Sequence, residues 1–186
     1  MALTSNQFWK IIDSTGRGVG VNRRRQVEKI ERILRGFSLD DLATFRKHTY
    51  RAIKKANTFP FQVAAFVIYS HLTDDLLLEF RAWVILHGQK AFMAALKNID
   101  TVVKLVSKKE VDQMSLAGFL EVEPRIWLDR GVDCRLYTRK VGFLQERPVP
   151  TDWPESREEF KSRYPVLYKA FWNPPRIEAF HRGARK

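Results

Sequence analysis

The segment Phe61–Lys97, FQVAAFVIYSHLTDDLLLEFRAWVILHGQKAFMAALK, constrains this chain more than any other. It holds two apolar runs joined by Thr73-Asp74-Asp75, and one arginine, Arg81, stands in the middle of the second. The runs Phe61–Leu72 and Asp74–His87 are apolar on nearly every side, a pattern of helices buried inside a protein or a membrane. Neither approaches the ~20 apolar residues that a membrane span needs. Two such helices joined by a short turn predict a buried central hairpin with other helices packed around it.

The flanks supply those helices. Ser5 opens a short run with Phe8, Trp9, Ile11 and Ile12 on one side, ending near Gly16. A second helix is predicted over 23–35, where Val27, Ile30, Ile33 and Leu34 recur at helical spacing. Ser38 starts a third over 39–57, with Leu42, Phe45, Ala52, Ile53 and Ala56 inward. Gln89–Asn98 reads as a sixth helix, and Asp100 and the Ser107-x-x-Glu110 capping box begin further short ones. Beyond Gly131 the pattern turns irregular, with a short strand expected around Leu136–Phe143 and aromatic and proline residues along the tail. The last six residues, HRGARK, read as disordered. The expected fold class is all-α: a compact multi-helix domain over 1–131 around the buried hairpin, with a loop-rich, basic extension over 132–186 that docks on it.

Charge is distributed unevenly. The 186-residue chain carries a net charge of +12, with about +8 in residues 1–60, −1 in 61–100 and +5 beyond. Arg23, Arg24, Arg25, Lys29 and Arg32 lie on the second helix. Lys47, Arg51, Lys54 and Lys55 stack at i, i+4, i+7 and i+8 on the third. Together they form a candidate basic face if the two helices lie side by side. Such a field attracts an acidic protein partner or the phosphates of nucleic acid. The acidic Glu28, Glu31, Asp40 and Asp41 interrupt it, and no helix-turn-helix, zinc-finger or aromatic RNA-binding signature accompanies it.

Arg81 projects between Leu77 and Ile85 on an apolar stripe. A buried guanidinium left without a partner costs about 3–5 kcal/mol, so something must satisfy it. Either a protein group locks the hairpin through it, or it forms the base of an anion pocket. Asp74 and Asp75 fit the first turn of a helix capped by Thr73, where carboxylates complement the helix dipole. His71, Asp74, Asp75 and His87 match no usual metal-ligand spacing, so no metal and no cofactor is expected. No catalytic residue emerges either: Cys134 stands between Asp133 and Arg135, and the four histidines carry no local signature. The run GRGVGVNRRR lacks the Gly-Lys-Ser/Thr ending of a phosphate loop and follows a helix instead of a strand.

Trp9 in FWKII, Gln26 ahead of an amphipathic helix, and TDDLLLEFRAWVILHGQKAFMAALKN together resemble the bacterial family known as domain of unknown function 4240. The matching motif residues are Asp74, Asp75, Phe80, Arg81, Ala82, Trp83, Ile85 and Gly88. The resemblance is strongest from Phe61 to Val106 and does not reach the tail. It departs at Ser70-His71-Leu72, where family members carry a Gly-Gly-Cys-like turn, and in the basic flanks. The family implies a fold and family-motif positions at His71, Asp74, Asp75, Arg81 and Trp83, but no activity.

The single cysteine excludes an internal disulfide framework and fits a reducing compartment. These features point to a cytoplasmic, non-enzymatic interaction or regulatory domain with an acidic protein partner. The alternatives are a nucleic-acid-associated protein using the basic face, and a small-ligand or enzymatic site around Asp74, Asp75 and Arg81.

Overall fold

Burial of the central hairpin organises the molecule. The computed structural model describes residues 3–106 and 118–172. Among these the secondary structure is helical throughout, with no strand. Helices α1 (Ser5–Gly16), α2 (Arg23–Leu34), α3 (Leu39–Lys55), α4 (Phe59–Tyr69), α5 (Asp74–Leu86) and α6 (Gln89–Lys97) follow in order. A 3-10 helix (Ile99–Lys104) comes next, then α7 (Phe119–Asp129), α8 (Cys134–Val141), α9 (Arg157–Arg163) and α10 (Pro165–Phe171). The Ser107-x-x-Glu110 box and the HRGARK terminus lie outside the described residues.

The hairpin is α4 and α5, and α5 is the hub, packed against α1, α3, α4, α6 and α7. In α4, Phe61 and every residue from Val63 to Ile68 are buried; in α5, so is every residue from Phe80 to Leu86. The core forms one cluster from Leu3 to Leu167, so the C-terminal helices contribute to it through Phe160, Tyr164 and Leu167.

Helix boundaries follow their caps. Thr4, not Ser5, caps α1, in a reciprocal capping box with Gln7. Asn22, Ser38 and Thr73 cap α2, α3 and α5 through their side chains. Helix α4 starts two residues earlier than expected and stops at Tyr69, because Ser70 adopts a left-handed φ of 65°. The expected strand at Leu136–Phe143 is instead the helix α8. Asp133 accepts from Arg135 N at 2.7 Å and starts it, Tyr137 and Val141 fall one turn apart, and Gly142 at φ 76° ends it. The β-branched and aromatic content suggested a strand, but the cap and the i, i+4 spacing prevail.

Two long-range devices repair helix defects. Pro124 lies inside α7 and cannot donate to Leu120, whose carbonyl instead accepts from Arg46 Nη1 of α3 at 2.6 Å. Gly88, between α5 and α6, has φ 95° and ψ 169°, a region essentially reserved for glycine. It has no side chain to cap α6, so Asp13 of α1 does so, accepting from Gln89 N at 3.0 Å. A Cβ at Gly88 would sit 2.3 Å from Asp13 Oδ1. Gly88→Ala should therefore cost about 1–3 kcal/mol in urea melts, through strain and a displaced cap. A variant melting like the parent would contradict this account.

Candidate functional site

The family-motif residues diverge around α5. Arg81 is 2% exposed and points toward the C-terminal extension. Its Nε donates to Leu77 O at 3.1 Å, and its two terminal nitrogens bind both oxygens of Glu146, with Nη2 to Oε2 at 3.0 Å. The guanidinium is thus filled by one carbonyl and one bidentate carboxylate from the irregular stretch after α8. The same stretch is held by Trp153, whose ring meets Phe59 and Phe66 edge-on at 5.1 and 5.3 Å. Further on, the buried Asp100 accepts from Val166 N and Leu167 N, each at 3.1 Å, and so caps α10 from a distance.

Asp74 and His71 are exposed, and His71 Nδ1 donates to Tyr69 O at 3.0 Å. Asp75 lies on a different face of α5 from Arg81, where it lines a cleft of about 340 Å³. This cleft runs between α5 and the start of α7 and also receives Glu79, Trp83 and Glu121. The structure therefore brings Asp75 and Trp83 together and separates both from Arg81. Glu79 and Glu121 went unnoticed in the sequence, although the i, i+4 spacing of Asp75 and Glu79 placed that pair on one helical face. Glu146 had no such signal, standing 65 residues from Arg81.

Behind Trp83 lies a second polar cluster. Gln26 is fully buried, and its Nε2 donates to Ile12 O at 3.1 Å and Leu86 O at 2.8 Å, tying the ends of α1 and α5 together. Arg23 Nη1 donates to Gln26 Oε1, and its Nη2 to His87 Nδ1, both at 2.9 Å. Burial, reinforced by Arg23, lowers the His87 pKa to about 3, so the ring is neutral with its proton on Nε2. Trp83 meets this ring edge-on at 4.3 Å.

The basic residues are sorted differently from the sequence expectation. Helix α2 packs on α1 and α7, and α3 packs most extensively on α8, with further contacts to α5, α1 and α7, so the principal neighbour of α3 is α8. Of the residues on α2, Arg23 turns inward to Gln26 and His87, Lys29 donates to Arg17 O at 3.3 Å, and Arg24 lies 3.9 Å from Glu28. Arg25 and Arg32 are exposed. On α3, Lys47, Arg51, Lys54 and Lys55 are all exposed. The helix packed beside it, α8, adds Arg135, Arg139 and Lys140. Together α3 and α8 carry eight Lys and Arg against two Asp, a net +6, half of the charge of the whole chain.

Among the described residues no group of three or more His, Cys, Asp or Glu side chains is arranged to hold a metal ion. No helix there is long and apolar enough to cross a membrane. Cys134 is exposed and free.

Fold and site define an all-helical domain built on a buried hairpin, with a polar cluster at the junction of α1, α2 and α5. Residues 3–123 match the family described as Protein of unknown function (DUF4240), and the chain belongs to that family. The match ends before α8, so Glu146 and the helices that follow lie beyond it. No curated protein and no solved structure matches the chain.

Proposed function

We propose that this is a cytoplasmic, non-catalytic interaction domain that binds an acidic protein partner through the α3–α8 face. The observation that carries the reading is the concentration of half the net charge on two adjacent helices, with Lys47, Arg51, Lys54 and Lys55 all exposed. Such a surface steers an oppositely charged partner and loses affinity as salt screens it. Asp40, at the start of α3, shares the stripe of Lys47 and is engaged by Lys140, which leaves Arg51, Lys54 and Lys55 toward the other end of α3 without an ion pair among the described residues.

Fluorescence anisotropy with a labelled polyglutamate peptide tests the reading. The triple variant K47E/R51E/K54E should weaken binding at least about tenfold, whereas R24E/R25E on α2 should change it little. Equal losses for both variants would count against a dedicated face. A DNA duplex of matched charge, bound more tightly than the peptide and with a steep log–log salt slope, would favour the nucleic-acid reading.

A further inference from the structure

The cleft between α5 and α7 is unlike the rest of the surface of this basic chain. Asp75 and Glu121 are joined there by Glu79, one of whose oxygens, Oε2, is withdrawn from solvent and without a hydrogen-bond donor. Although the chain has 33 Lys and Arg, none among the described residues pairs with these three carboxylates. Burial, then the facing Asp75 and Glu121, hold the Glu79 carboxyl above its ordinary range. Like charges are thus held together with no counter-charge among the described residues.

A second observation is independent of the carboxylates. Trp83 lines the same cleft and is 1% exposed, yet its indole N–H has no acceptor. Buried donors are paired in the great majority of cases, and an unpaired one beside a cleft calls for an acceptor such as a water or a bound group. Leu78, Leu86 and Phe119 make the remainder of the wall apolar. The carboxylates are not disposed as a metal-ion cluster. At about 340 Å³ the cleft falls in the lower range of small-molecule sites.

We propose that this cleft binds a small organic cation. An alkylammonium head lies among Asp75, Glu79 and Glu121, its apolar stem lies against Leu78 and Phe119, and an oxygen acceptor on the ligand takes the Trp83 N–H. The head supplies the counter-charge that the described residues do not, and the oxygen satisfies the buried donor. This site is separate from the α3–α8 face and does not depend on it.

The test uses the full chain labelled with nitrogen-15, the Trp83 indole resonance being assigned by its loss in W83F. Three probes of similar size are titrated: aminopentanol, neutral pentanediol and anionic hydroxypentanoate. Aminopentanol should shift the Trp83 resonance saturably, and the other two should not. E79Q and E121Q should each weaken aminopentanol about tenfold while leaving the fold intact, since neither carboxylate makes an ion pair among the described residues. K47E/R51E/K54E should leave this binding unchanged. An equal response to pentanediol would reduce the site to an apolar cleft and overturn the proposal. So would the absence of a saturable shift up to about 10 mM aminopentanol, or affinity unchanged in both carboxamide variants.

Discussion

Glu146→Ala should destabilise the protein by about 3–5 kcal/mol, more than Arg81→Met, for which about 1–2 kcal/mol is expected. The two partners of this ion pair are unequally buried, with side-chain exposures of 3% for Arg81 and 26% for Glu146. Removing Glu146 strands a guanidinium inside the core with only the Leu77 carbonyl left to it. Removing Arg81 strands a carboxylate that is already partly in water and can turn outward. Methionine also fills most of the vacated volume, so little cavity term is added. The double variant Arg81→Met/Glu146→Ala should therefore melt close to Arg81→Met alone, giving a strongly non-additive cycle in urea. An Arg81→Met loss equal to or above that of Glu146→Ala would show that the pair does not govern the docking of the extension. Because the carboxylate supplements the carbonyl, the arginine does more than cap its own helix. It ties the family domain to a segment outside the family match.

Stability should fall by on the order of 3 kcal/mol between pH 4.5 and pH 8 through one residue, Glu123. Its side chain is buried at the junction of α3, α7 and α8, 2% exposed. Tyr137 OH donates to Oε2 at 3.1 Å, Arg46 Nε stands 3.9 Å from the same oxygen, and Oε1 has no donor. Burial outweighs Arg46, Tyr137 and Trp127, all of which favour the charged form, and pushes the carboxyl from 4.5 up to about 7. A carboxyl with a raised pKa in the folded chain holds its proton more tightly there than in the unfolded chain. Its contribution is fully present below about pH 4.5 and is lost as pH rises through about 7. Glu123→Gln keeps the shape and the Tyr137 bond but removes the titration. The variant should match the parent near pH 4.5 and exceed it above pH 7. Urea melts across that range check the difference, which isolates Glu123 from other titrating groups. A variant less stable than the parent at pH 8 would mean that the Arg46 interaction outweighs burial.

The contrast between these two residues shows how much of the molecule was legible in advance. Arg81 was recognisable as an anomaly because helical spacing alone set it on an apolar stripe, and that its burial demanded a partner followed from the cost of a stranded charge. The identity of the partner did not follow. Glu146 is an ordinary acid in a non-periodic stretch, and only the path of the chain after α8 brings it to α5. Glu123 carried no signal at all, since its burial depends on Tyr137 and Arg46 arriving from two other helices. The basic face shifted for the same reason. The stacking of Lys47, Arg51, Lys54 and Lys55 on α3 is a local pattern, whereas α8, which adds its own cations beside α3, arrives from a distant part of the chain.

The sequence by itself determined the all-α fold class and that α4 and α5 are the buried hairpin, although it read α8 as a strand. It also located the starts of α3 and α5, through Ser38 and Thr73. These properties rest on periodicity and capping within a few residues, and local interactions record them directly. The tertiary structure alone decided which groups meet: Glu146 with Arg81, Asp13 with the start of α6, Asp100 with α10, and Asp75, Glu79 and Trp83 with Glu121 in one cleft. Most of these meetings join residues far apart in the chain, and their energies depend on burial and on the orientation of whole helices. Neither quantity is written in any local stretch of sequence.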